Sequence, residues 1–206
     1  MDQRKGWIGV PDGLSLSRLP LAVLLCGCIA FEAWWWGLGV LLLAAGTDFL
    51  DGWWARRYGP HSPWGRSLDP LTDKVLTCSA FIYLSAMPGT RILPAMTAVI
   101  VGRELLVTGL RGIVESAGRA FGADWGGKVK TVSQFAVLVG VLLRQGMIGS
   151  GWNTTGEMLD RPLQVLIGVM LAATVVSGLH YLVKAAQLLR GTTEPPAAVR
   201  QEDRGS

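Results

Sequence analysis

The chain has 206 residues, half of them hydrophobic, with a mean hydropathy of +0.37 and only 17% charged residues. A soluble domain carries about 25% charged residues, so a water-soluble globule and a disordered chain are both excluded. The net charge of +4 comes from 19 Lys and Arg against 15 Asp and Glu, but the basic residues punctuate apolar runs instead of forming one patch, which argues against nucleic acid as a partner. Cys26, Cys28 and Cys78 all lie inside apolar runs, where inert buried thiols are expected, not a disulfide framework or a zinc site.

Six apolar runs predict an all-α integral membrane protein with six transmembrane helices. Runs 19–31 and 33–47 are separated only by Glu32. One straight helix over both would far exceed the ~20 residues a bilayer needs, so a tight turn is expected at Glu32. Trp34, Trp35 and Trp36 beside that turn suit the headgroup level. The third run is 75–90, and the fourth is 92–102, continuing helically through Arg103 and Glu104. The fifth is 129–143, with Lys130 near its start, and the sixth is 162–183. The first run shows no small-residue cleavage site after it, so it is expected to stay as a helix.

With both termini cytosolic, 15 of the 19 basic residues fall on that side, as the positive-inside rule requires, and the opposite turns are nearly free of Lys and Arg. The expected organisation is a cytosolic segment over 1–18, a six-helix catalytic domain over 19–190 and a disordered tail over 191–206, which has no apolar periodicity.

The informative stretch begins at the cytosolic end of the second helix. Asp48 and Asp51 are three positions apart and Asp69 and Asp73 are four apart, so each pair shares one helical face. Gly59, Pro60 and Pro63 break the chain between them, letting the third helix fold back against the second so that four carboxylates converge. Such a cluster is unfavourable unless neutralised. Two divalent cations are the natural answer, and all-oxygen ligation favours Mg²⁺ or Mn²⁺ over Zn²⁺. A paired hard-metal site suits a diphosphate whose leaving phosphate gains charge. Gly52 and Ala55 lie on the carboxylate face and leave room for a bulky polar ligand. Gly65 clears space in the connection, and Arg56 can fork onto a phosphate. Taken singly, each glycine reads equally as helix packing and Arg56 as a snorkelling arginine.

These residues resemble the signature of the CDP-alcohol phosphatidyltransferases, D-x2-D-G-x2-A-R-x8-G-x3-D-x3-D. It is met here at Asp48, Asp51-Gly52, Ala55-Arg56, Gly65, Asp69 and Asp73 with every spacing kept. The resemblance implies six transmembrane helices, a homodimer, and a two-metal site facing the cytosol of a bacterial plasma membrane. It implies Asp48, Asp51, Asp69 and Asp73 at the metals, with Asp73 as general base, and Gly52, Ala55, Arg56 and Gly65 around CDP. An alcohol would attack the β-phosphoryl of CDP-diacylglycerol and release CMP. A membrane prenyltransferase would carry its two acidic motifs far apart, and a cation carrier would hold its acids near mid-membrane.

Arg103-Glu104, Thr108-Gly109-Leu110-Arg111 and Gly127-Lys128-Val129-Lys130-Thr131 with Gln134 are similar to the branch of the family that uses glycerol 3-phosphate. Arg103, Arg111, Lys128 and Lys130 would then bind the phosphate of a small phosphorylated alcohol. Arg103 and Arg111 are eight positions apart, about two turns on one face. Intramembrane Arg and Glu are costly unless paired or functional. Ion pairing to neighbouring helices is the alternative for Arg103 and Glu104, and charge-driven orientation is the alternative for Lys128 and Lys130. Pro11-Asp12-Gly13-Leu14-Ser15-Leu16-Ser17-Arg18 departs from the Pro-Asn and Leu-Thr of that branch, although Arg18 itself can match.

Overall fold

A computed structural model describes residues 10–58, 63–116, 118 and 125–190; within these helices the side chains of 10–16, 49, 51–58, 63–71, 73, 125–126 and 189–190 are outside the description. All regular structure among the described residues is helical. The chain runs through α1 (Val10–Ala30), α2 (Trp34–Tyr58), α3 (Pro63–Ala86), α4 (Pro94–Ser116), α5 (Trp125–Gly149), α6 (Asn153–Met158) and α7 (Asp160–Arg190). Each apolar run falls largely within one long helix, and α6 is a short addition that hydropathy does not signal. Helix α1 begins before the expected boundary at 18, and the tail 191–206 lies outside the described residues.

The turn expected at Glu32 has a specific hydrogen-bond pattern. Ala33 N–H donates to the Cys28 carbonyl at 2.8 Å and Glu32 N–H to that of Ile29 at 3.1 Å. This pair of bonds satisfies the last carbonyls of α1 and requires a left-handed residue between helices. Glu32 takes that conformation at φ 55°, although it carries a Cβ. The same pattern ends α5, where Trp152 N–H donates to Met147 O at 2.9 Å and Gly151 N–H to Ile148 O at 3.0 Å. There the left-handed position, φ 83°, is filled by a glycine.

Two segments, 127–149 and 153–188, are long and apolar enough to cross a membrane on their own. Large apolar side chains also face outward along the bundle, including Val23, Trp36, Leu105, Val165 and Val176, a distribution typical of a lipid-facing surface rather than a wetted one. Between helices in lipid, close packing and small residues take over from the hydrophobic effect. A Cβ added at Gly140 would stand 3.0 Å from Leu163, and one at Gly146 would stand 3.0 Å from Trp35. The core is a continuous layer that includes Leu25 and Ile29 of α1, Leu41 of α2, Phe81 of α3, Leu138 of α5 and Met170 of α7.

Helix α1 packs against both α2 and α3. Among the described residues α1 lies alongside both α2 and α3, and these two line one cavity; the fold-back expected where the acidic residues sit lies outside the described residues. Helix α4 joins the bundle through α3 and α7, and α5 through α2 and α7.

At the end of the bundle that carries the 87–93 and 150–160 connections, Asp160 is held by Arg144 of α5 and by Arg91. Arg144 also donates to the Gly89 carbonyl at 2.8 Å and to Gln145 Oε1 at 2.9 Å. The few arginines of this end are thus tied into a bracket that fixes the α3–α4 turn to α5 and α7.

Candidate active site

Arg103, Arg111, Lys128 and Lys130, expected to act together, line one cavity of about 500 Å³ at the opposite end of the bundle. Helix α4 supplies Arg103 and Arg111 from one face, and α5 supplies Lys128 and Lys130 from its first turns. Lys74 of α3 joins them, so among the described residues five cations face a single carboxylate, Glu104. Glu104 is 3% exposed. It accepts a hydrogen bond from Arg103 Nη1 at 2.9 Å and is ion-paired with Lys130 Nζ. Pairing is therefore real for Arg103 and Lys130, and among the described residues the cavity carries more positive than negative side chains, an excess that favours anions. Arg111 keeps a buried Nε without a partner among the described residues, as does Arg103.

Helix α7 supplies two partners to Arg103. Arg103 Nη2 donates to Ser177 Oγ at 3.2 Å, and its guanidinium stands 5.6 Å from the centre of the Tyr181 ring, within cation–π range. Two glycines make this approach possible. A Cβ on Gly178 would come within 3.1 Å of Arg103 Cγ, and one on Gly127 within 3.1 Å of the Tyr181 hydroxyl. Ser177 and Tyr181 are four apart, one turn of a single face, but nothing in an apolar run distinguishes that face beforehand. Lys74, whose place beside Asp73 is the signal the sequence offers for it, bonds Thr108 Oγ1 of α4 through its Nζ.

Of the four motif carboxylates, Asp48 has a described side chain. It is largely exposed and pairs with Arg18 Nη2 at 2.5 Å, while the Arg18 side chain is buried. Both line a second cavity of about 280 Å³, whose walls include Leu41, Ala44, Leu76 and Leu138. The cavity thus sets the Arg18–Asp48 pair and a few polar side chains, Thr77, Thr131 and Gln134, against largely apolar walls. The side chains of Asp51, Gly52, Ala55, Arg56, Gly65, Asp69 and Asp73 lie outside the described residues. Their helices are described. Asp51 follows Asp48 by about one turn on α2, and Asp73 precedes Thr77, a lining residue, by about one turn on α3. Among the described residues, neither cavity is lined by Cys or His. A set of carboxylate oxygens fits a hard divalent cation.

A narrow space of about 20 Å³ lies between the two cavities, bounded by Lys74, Thr77, Glu104, Lys130, Thr131 and Gln134. Thr131 and Gln134 also line the apolar cavity, and Lys74, Glu104, Lys130 and Thr131 also line the cationic one. The two chambers are thus neighbours across one turn of α5.

The family model for CDP-alcohol phosphatidyltransferases matches residues 8–179. The chain belongs to that family. It is 34% identical over 156 residues to the CDP-diacylglycerol–glycerol-3-phosphate 3-phosphatidyltransferase of Bacillus subtilis (strain 168), covering 75% of each chain. A protein of the same name from Yersinia pestis (strain Pestoides F) is 33% identical over 107 residues, 51% of this chain and 59% of the relative. Another from Sodalis glossinidius (strain morsitans) is 33% identical over 114 residues, 54% of this chain and 63% of the relative. CDP-alcohol phosphatidyltransferases generally use divalent metal ions, and the motif spanning Asp48 to Asp73 falls inside the matched region.

Proposed function

We propose that this CDP-alcohol phosphatidyltransferase moves the phosphatidyl group of CDP-diacylglycerol onto glycerol 3-phosphate, giving phosphatidylglycerophosphate and CMP. It does so as a six-span, homodimeric protein of a bacterial plasma membrane, with both termini and the active site on the cytosolic side. The observation that carries the acceptor is the cationic cavity, where Arg103, Arg111 and Lys130 gather beside the α2–α3 cavity. A neutral acceptor such as serine would leave that charge uncompensated. The names of the relatives point the same way.

In this reading Asp48, Asp51, Asp69 and Asp73 would hold two ions, Mg²⁺ or Mn²⁺, which when bound offset the charge developing on the diphosphate. Gly52, Ala55 and Gly65 leave room for the cytidine diphosphate, and Arg56 forks onto it. The lipid's apolar part enters the cavity walled by Leu41, Leu76 and Leu138. Arg103, Arg111, Lys128 and Lys130 fix the acceptor's phosphate, so that its free hydroxyl is directed toward α3. Asp73 takes the hydroxyl proton as the oxygen attacks the β-phosphorus. The bond from that phosphorus to the bridging oxygen breaks, and the electron pair leaves with CMP.

Purified protein in vesicles containing CDP-diacylglycerol, supplied separately with glycerol 3-phosphate, serine, inositol phosphate or a second phospholipid, tests the reading. Phosphatidylglycerophosphate and stoichiometric CMP are expected from the first. A phosphatidyl product from another acceptor, with none from glycerol 3-phosphate, would overturn it.

A further inference from the structure

Gln134 is 2% exposed, and its Nε2 has no hydrogen-bond partner among the described residues. A buried amide N–H₂ without an acceptor is uncommon in a folded protein and calls for an explanation. The narrow space beside it also holds Thr77, Glu104 and Thr131, whose oxygens can accept, yet none of them forms a hydrogen bond with Nε2. Gln134 follows Lys130 by one turn of α5, which sets it about 6 Å deeper along the helix axis. It is also the one polar residue of α5 apart from Thr131 that lines both the apolar cavity and the narrow space between the chambers. That space admits one group the size of a water or a hydroxyl.

A phosphorylated alcohol anchored by its phosphate among Arg103, Arg111 and Lys130, with its reacting hydroxyl directed toward α3, would lie along this space and could set one small group into it. In glycerol 3-phosphate the carbon at mid-span carries a second hydroxyl that takes no part in the transfer. We propose that Gln134 is a specificity-determining residue, donating from Nε2 to this spectator hydroxyl and so selecting acceptors that carry it. The inference rests on the acceptor reading above. Its logic is asymmetric: an acceptor with the hydroxyl completes the amide's hydrogen bonding, whereas one without it buries the same N–H₂ unpaired, and sites built this way discriminate strongly.

The test compares kcat/KM for glycerol 3-phosphate with that for 1,3-propanediol monophosphate, which lacks the middle hydroxyl, in the wild type and in Gln134→Met, a variant of similar volume with no polar hydrogen. The wild type should prefer glycerol 3-phosphate by about tenfold or more, and Gln134→Met should reduce that preference to about twofold or less. Gln134→Leu, which also removes the amide donor and adds no polar atom, should lose the preference as well and serves if the Met variant does not fold. Retention of the wild-type preference in either folded variant would overturn the proposal and leave the amide to a bound water or to helix packing. A wild type that uses glycerol 3-phosphate without preferring it over the diol phosphate would also overturn the proposal while leaving the acceptor reading intact. A wild type that uses neither phosphorylated alcohol would overturn both.

Discussion

Lys130 of α5 and Glu104 of α4 form an ion pair at the floor of the cationic cavity, and the same Glu104 oxygen accepts from Arg103. One buried carboxylate thereby fixes two of the cations that would meet a phosphate. Removing one member of a buried charge cluster leaves the others desolvated without compensation, a loss of roughly 3–5 kcal/mol. Glu104→Gln should therefore lower the thermal midpoint in detergent markedly. Glycerol 3-phosphate should raise the variant's midpoint more than the wild type's, because the ligand would replace the missing negative charge. An unchanged midpoint would contradict the role assigned to Glu104.

Arg103 uses two arms at once, one on Glu104 and one on Ser177. Lysine has charge but no fork. Arg103→Lys should raise the KM for glycerol 3-phosphate by about tenfold, the value of one charge-assisted hydrogen bond, and leave the KM for CDP-diacylglycerol near its original value. Full acceptor affinity in the Lys variant would show that charge alone is required.

If Asp73 is the general base, Asp73→Asn should reduce turnover by about 10²-fold or more while the protein remains inserted and folded. Circular dichroism and size exclusion would establish the fold. Chelation by EDTA should likewise stop turnover, with Mg²⁺ or Mn²⁺ restoring it, and Asp48→Asn should weaken the restoring ion in calorimetric titration. Turnover that ignores EDTA would refute a metal centre at the four aspartates.

Asp160 is held by both Arg144 and Arg91. Asp160→Asn should lower the thermal midpoint in detergent at pH 7, because it leaves two arginines without their carboxylate. A midpoint equal to the wild type's would contradict the bracket drawn between the α3–α4 turn, α5 and α7.

The long helices were legible because each is a charge-poor run, and the break at Glu32 was legible because no single helix could span both flanking runs. The gathering of Arg103, Arg111, Lys128 and Lys130 was legible from helical spacing and from the cost of charges in apolar surroundings. Ser177, Tyr181 and Gly178 were not. A small hydroxyl, a ring and a glycine in an apolar helix look like ordinary packing until a neighbouring helix brings Arg103 against them. The position of α1 escaped for a similar reason: burial of Leu25 and Ile29 depends on which faces meet in three dimensions.

Helix α1 packs on both helices that carry the acidic motif, and it is synthesised before either. Its thickness therefore acts as a gauge block for the reaction, since packed helix axes stand about 8–10 Å apart. Ala22, 3% exposed on that helix, need touch neither substrate to matter. A larger side chain there would change how far apart the two halves of the catalytic motif stand while leaving every reacting group in place.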